Sequence, residues 1–346
     1  MKTTSRLLGL CLSLSMLFAL PACSGGQSAS SAPSETTPAP TESSAAEESH
    51  YPVTVTTYNQ NGEEAEQTFT KCPERVVSIS QANTEMLVSL GLSDLIVATA
   101  HRTSTPWPET AAEYESLNFL AMDDYPSKEV VLSLEPDLIV GWGSLFAEDA
   151  LGPVSEWNDR GVGTYLMNNT VSGLGNRTVE FLYDDIETLG QIFDVEDAAQ
   201  AMIDDMKTRI AAIGEKVSAL PDEQRVRVVT VQYVYENEFL GRGGTDFNRA
   251  LTELAGGIQV NDNGEQSMEV LIDLDPDVLV ILDLSSSPAQ EKIDAIKANP
   301  TLQNIKAVQN DRFVVLDHAA FYCGGPRTVE AIETLAAAFY PDLFSA

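Results

Sequence analysis

A stretch of fourteen residues, Ser127-Lys-Glu-Val-Val-Leu-Ser-Leu-Glu-Pro-Asp-Leu-Ile-Val140, returns 140 positions later as Ser267-Met-Glu-Val-Leu-Ile-Asp-Leu-Asp-Pro-Asp-Val-Leu-Val280, with seven of the fourteen positions identical. Each copy reads as a short helix opened by Ser, a Pro-Asp turn, and an apolar run suited to a strand covered on both faces. Helix-turn-strand units of this kind build parallel sheets, so the chain is expected to fold as two similar α/β lobes. A second echo pairs Arg75-Val-Val-Ser-Ile-Ser80 with Arg227-Val-Val-Thr-Val-Gln232, β-branched runs that should lead each lobe.

The first lobe is expected over residues 50–180, with strands near 75–80, 95–99, 138–142 and 162–166 and helices near 84–91 and 128–134. The second, over 222–346, should hold strands near 227–232, 278–282 and 313–316 and helices near 246–255, 268–274, 289–298 and 326–339, the last opened by Pro326. Asn61-Gly62 between two runs of β-formers predicts a type I′ hairpin ahead of the first lobe. Between the lobes, over 181–221, Ala199, Met202, Met206, Ile210, Ile213, Val217 and Leu220 recur at helical steps and stop at Pro221. That stripe predicts a single helix over 196–219, about 36 Å long at 1.5 Å per residue. It is too short and too rich in Ala and Met for a zipper, so a monomer is expected.

Ahead of the lobes, Lys2 and Arg6, an apolar run from Leu7 to Leu20 and the ending Pro21-Ala22 form a secretory leader over residues 1–22. The run is shorter than the roughly 20 residues a spanning helix needs. Residues 23–49 are Ser, Thr, Pro, Ala and Glu with almost no large apolar side chain, and read as a disordered tether. With its four glutamates and the two leader bases set aside, 48 acidic and 18 basic residues remain, a charge of −30 on the folded body. That charge repels phosphate backbones and excludes nucleic acid as a partner.

Ligands of open α/β sheets bind beyond the carboxyl ends of the strands. The segments following the expected strands carry His101, Arg102 and Trp107; Trp142 and Phe146; Tyr165; Arg177; Tyr233, Tyr235 and Arg242; and His318, Phe321, Tyr322 and Arg327. Flat aromatic faces suit a chelate or macrocycle, and arginines suit its carboxylate or catecholate oxygens. Arg102, Trp107, Trp142, Tyr165, Tyr233, Arg242, Tyr322 and Arg327 are the expected substrate-binding residues. His101 and His318, one on each lobe, make a poor metal site, so no metal held by the protein is expected. Cys72 precedes one strand and Cys323 follows another, which should set them at opposite sheet edges and disfavours a disulfide. The chain has no Gly-x-Ser-x-Gly elbow, no His-Glu-x-x-His and no Walker sequence, and Gly241-Arg-Gly-Gly lacks a dinucleotide-fold context, so no enzyme and no resident cofactor are expected.

Pro73-Glu-Arg-Val-Val-Ser-Ile-Ser80 followed by Thr84-Glu85, the two Pro-Asp units, Ala255-Gly256-Gly257, Asn299-Pro300 and Gly325-Pro326-Arg327 occur in an order and spacing that resembles the substrate-binding lipoproteins of ABC importers for ferric siderophores, haem and cobalamin. The likeness covers residues 70–345. It implies two Rossmann-like lobes joined by one long rigid helix, a permease as partner, and capture of a metal chelate between the lobes. The arginines of the expected cleft lean toward a ferric siderophore, with haem and cobalamin as alternatives. Leu20-Pro21-Ala22-Cys23 resembles a lipobox and implies a lipid anchor on Cys23, holding the protein outside the cytoplasm on the cell membrane. The family's two surface glutamates that dock on permease arginines would fall on Glu85 and Glu269, leaving Glu129, the repeat partner of Glu269, structural.

Overall fold

The two sequence echoes form one structural joint that occurs twice. In the first copy the Asp137 carboxylate accepts the backbone N–H groups of Glu74 and Arg75, both at 2.8 Å, while the Arg75 side chain reaches back to the carbonyls of Leu134 and Glu135. In the second copy Asp277 accepts from the Arg227 N–H at 2.9 Å, and Arg227 donates to the Leu274 carbonyl at 3.0 Å. The residue before each proline, Glu135 or Asp275, turns left-handed, at φ 49° and 41°. Each repeat thus pins the start of its leading strand to the end of its own helix, which is why Arg and Pro-Asp recur together.

The computed structural model describes residues 49–121, 124–322 and 324–344. The leader, the tether up to residue 48, Cys23 and Cys323 lie outside them. The chain runs through β1 (Val53–Tyr58), β2 (Glu64–Phe69), β3 (Val76–Ile79), α1 (Gln81–Ser89), β4 (Ile96–Ala100), α2 (Ala111–Ser116), β5 (Phe119–Ala121), α3 (Lys128–Ser133), β6 (Leu138–Gly141), α4 (Val154–Asn158) and β7 (Gly163–Leu166). Then come α5 (Val179–Phe193) and α6 (Glu196–Val217). The second lobe holds β8 (Arg227–Val234), β9 (Glu238–Gly241), α7 (Phe247–Leu254), β10 (Ile258–Gln259), β11 (Gly264–Ser267), α8 (Met268–Leu274), β12 (Val278–Asp283), α9 (Ala289–Ala298), α10 (Lys306–Gln309), β13 (Phe313–Asp317), α11 (His318–Phe321), α12 (Thr328–Phe339) and α13 (Pro341–Phe344).

The first sheet is wholly parallel in the order β5-β4-β3-β6-β7. In the second, β8, β12 and β13 run parallel, and the free edge of β8 is shared by short β10 and antiparallel β9, which β11 extends. Successive strand residues point to opposite faces. Val76, Leu138 and Val140 join Val228, Val278 and Val280 in one apolar cluster with α5, α6 and α12, whereas Val77, Ile139, Val229 and Leu279 pack into two separate outer cores. The shared inner cluster braces the lobes against each other.

The expected spine is present as α6, 22 residues and about 33 Å long. Ala199, Met206, Ile213 and Val217 of its predicted stripe are buried, with Met202, Ile210 and Leu220 half-buried beside them and Ile203 added. It packs on α5, α7 and α12, and Arg209 holds Glu333 of α12 at 2.7 and 2.9 Å. Gly190 of α5 lets the two helices close: a Cβ there would sit 2.7 Å from that of Ala199.

The hairpin before the first lobe differs from expectation. Tyr58 pairs with Glu64, leaving a five-residue loop instead of a two-residue type I′ turn. The cause is Asn59, whose side-chain oxygen accepts from the N–H groups of Asn61 and Glu63 and closes a wider turn. Pro326 stands two residues ahead of α12 rather than in its first turn.

Candidate functional site

Between the carboxyl ends of the two sheets lie two adjoining spaces, about 240 and 510 Å³, which share Trp142 from the first lobe and Tyr322 from the second. The two rings meet across the seam at 5.8 Å. Trp142 follows β6 and Tyr322 follows α11 after β13, so each sits where its sheet releases the chain. His101, at φ 60° just beyond β4, sets its ring edge-on to Trp142 at 5.3 Å and lies 4.4 Å from Tyr125. His318 stacks on Tyr322 at 4.7 Å. Tyr233 and Arg102 complete the smaller space from opposite lobes. The indole N–H of Trp142 is buried and has no partner among the described residues, an unpaired donor of the kind folded proteins seldom leave without cause.

Charge in this cleft is largely paired. Arg242 lies 4.7 Å from the Tyr322 ring centre, bonds Gln232 and Asn263, and stands 3.7 Å from Asp246. Arg177 meets the same aspartate at 2.6 Å. His318 is 4 % exposed, and burial, with His101, Arg242 and Lys292 nearby, pushes its pKa down to about 3. The imidazole is therefore neutral, set between Gln232 Nε2 and Thr103 Oγ1, each at 3.3 Å. Lys292 reaches under Tyr233 at 5.7 Å, its pKa lowered by burial to about 8.

Of the expected binding residues, the structure brings Arg102, Trp142, Tyr233, Arg242 and Tyr322 together and takes three elsewhere. Tyr165 turns into the core, 2 % exposed, and its hydroxyl donates to Asp185 at 2.8 Å; burial raises that carboxyl to about 8. Tyr165→Phe is expected to cost about 1–2 kcal/mol in urea melts and to leave ligand affinity unchanged. Trp107 leaves the cleft for the spine side, beside Val88 and Met202, where its indole N–H donates to the Glu330 carboxylate at 3.1 and 3.2 Å. Arg327 is 6 % exposed and engages Glu85, with Nε 3.0 Å from Oε2 and Nη2 3.2 Å from Oε1.

Glu85 is accordingly no surface residue. It is fully buried in α1, accepting also from Gln81 and from the Trp107 N–H, and burial raises its pKa against the pull of Arg327. The Gln81 side chain ties residues 103–105 to this pair, and Ser104 bonds Asp317 across the seam. Glu129 and Glu269, by contrast, are both exposed in the first turns of α3 and α8. Tyr125, Gln232 and Ser285 line the cleft without a signal in the sequence, because they sit in polar loops or a strand end with no periodicity to assign them.

Residues 76–320 match the periplasmic binding protein family. Among curated relatives, an uncharacterized ABC transporter substrate-binding lipoprotein of Bacillus subtilis, YvrC, is 26% identical over 305 residues, 85% of this chain and 87% of the relative. A vitamin B12-binding protein of Vibrio vulnificus is 24% identical, with 75% of this chain and 88% of that one aligned. The crystal structure of a periplasmic binding protein from Veillonella parvula superposes with a TM-score of 0.75 at 25% identity, covering 85% of this chain and 93% of that one. Family match, relatives and fold agree: the chain belongs to the periplasmic binding protein family as an ABC-transporter substrate-binding protein, not an enzyme.

Proposed function

We propose that the protein captures a flat, macrocyclic metal chelate of the corrinoid class in the cleft between its lobes and delivers it to a membrane permease from outside the cytoplasm, tethered through Cys23. The observation that carries this reading is the Trp142–Tyr322 pair, an aromatic seam with an unpaired indole N–H beside it. Parted, the two rings would present flat faces to a macrocycle, and the indole would donate to a peripheral amide. The lean toward a ferric siderophore rests on the arginines of the expected cleft. Arg327 is spent on Glu85 and Arg177 on Asp246, which weakens the case for a polyanion. A corrinoid, whose periphery carries amides, suits the neutral His318, Gln232 and Ser285. Arg102 and Arg242 favour the second reading, an anionic chelate such as a ferric siderophore or haem.

Among the described residues no helix is long and apolar enough to cross a membrane. For docking, the buried Glu85 is replaced by Glu129, which stands at the repeat position of Glu269. Its own backbone N–H and then the Ser127 side chain hold the Glu129 carboxyl below its usual range. An exposed apolar residue lies three positions on from each, Leu132 and Ile272, on the same helix face.

Titration with cyanocobalamin, haemin and a ferric hydroxamate, followed by tryptophan fluorescence, tests the ligand. Cyanocobalamin should quench in the wild type and in Trp107→Phe but not through position 142 in Trp142→Phe. Trp142→Ala should weaken binding about 30-fold or more, as central aromatic anchors do. Response to the hydroxamate alone would move the assignment to the second reading.

A further inference from the structure

Away from the cleft, where the tether meets the folded body, three potential metal ligands converge. His50 Nδ1 lies 3.3 Å from Asp194 Oδ1 and 3.4 Å from Glu196 Oε1, and the three atoms are all within 4.8 Å of one another. The His50 ring is oriented from outside the group: Nε2 contacts the Gln191 carbonyl at 2.7 Å, and Tyr51 packs edge-on at 4.6 Å while its hydroxyl donates to the Ile192 carbonyl. A carbonyl can only accept, so Nε2 carries the proton. In the neutral ring this leaves the Nδ1 lone pair facing the carboxylates, the tautomer metal-binding histidines use.

The spacing separates two explanations. A protonated imidazole paired with carboxylates would make charge-assisted bonds of about 2.7–2.9 Å, and no hydrogen bond joins Nδ1 to either oxygen among the described residues. Ligand atoms about 2.0–2.1 Å from a tetrahedral zinc ion stand about 3.3–3.4 Å apart, the edge of the tetrahedron. Both His50 distances fall on that edge. Asp194 closes α5 in a left-handed conformation, at φ 59°, and Glu196 opens α6, so the backbone turn between the helices aims both carboxylates at the histidine.

We propose that His50, Asp194 and Glu196 form a site for a borderline divalent transition ion, zinc above all, with a fourth position left to solvent. An imidazole ligand argues against calcium or magnesium, which take oxygen. Bound there, the ion would join residue 50, just ahead of β1, to the α5–α6 junction at the head of the spine, away from the ligand cleft.

Calorimetric titration of the full chain with zinc chloride, and Co²⁺ added as a spectroscopic probe, test the site. One zinc per chain is expected, with visible Co²⁺ bands of tetrahedral strength. His50→Ala should weaken zinc at least tenfold and abolish those bands. Asp194→Asn keeps a residue that tolerates the left-handed backbone, and Glu196→Gln keeps the helix, so both should lower affinity while circular dichroism and cyanocobalamin titration remain as in the wild type. Zinc binding unchanged in His50→Ala, which would place the ion at His101 and His318 instead, or no binding at a zinc concentration of about 100 μM, would overturn the proposal.

Discussion

Arg327→Met is expected to destabilise the protein by about 3–5 kcal/mol, because it strands the Glu85 carboxylate in an interior from which water is excluded. The pair joins α1 of the first lobe to the start of α12 in the second, and both side chains are almost wholly buried. Glu85→Gln should cost less, since a neutral amide retains the bonds from the Trp107 N–H and loses only the ionic part. The double variant should cost less than the sum of the singles, because the two groups are in direct contact. Urea melts of the four proteins measure the cycle; additive losses would refute a coupled latch. The pH dependence carries a definite sign. Burial raises the Glu85 pKa above its unfolded value, so over the interval between the two the folded state binds more protons and stability falls as pH rises. Without Arg327 that interval widens, and the deficit of Arg327→Met should shrink on acidification.

Uptake should fail when Glu129 and Glu269 are both replaced by arginine, falling below about a tenth of wild type in cells that depend on this importer, while cyanocobalamin affinity of the purified protein stays within about twofold. Each carboxylate is exposed on its own lobe, and if the two dock on permease arginines as proposed, like charges there would oppose docking instead of guiding it. Each single variant should retain part of the activity. Transport unaffected by the double reversal would remove both residues from the docking surface, and loss of ligand affinity would mean that they act on the cleft.

Much of the fold could be read from local pattern. The strands β6 and β12 carry apolar runs, β3 and β8 β-branched ones, and the spine is a stripe at helical spacing bounded by a proline. The strands that escaped notice are short edge strands: β5 has three residues, β10 two, and the β9–β11 ribbon reads Glu-Phe-Leu-Gly and Gly-Glu-Gln-Ser. An edge strand whose side chains meet water has no alternation to reveal it.

The site was less legible, and the errors share a cause. Tyr165 in β7, Trp107 in the loop after β4 and Arg327 at the head of α12 read locally as cleft residues, yet their side chains turn to Asp185, Glu330 and Glu85, partners 20, 223 and 242 positions away. Glu85 reads as a helix-end carboxylate in its own segment, and only the arrival of α12 makes it a buried half of an ion pair.

By itself the sequence determined the number of lobes, the parallel strands at the centre of each sheet and the approximate length of the spine, since hydrophobic period and turn chemistry act over a few residues at a time. The tertiary structure alone decided which aromatic and charged groups line the cleft, that Glu85 is buried while Glu129 and Glu269 face solvent, and that His50 meets Asp194 and Glu196. Side-chain direction and burial depend on segments that meet only when the lobes close on one core, and no local pattern encodes that meeting.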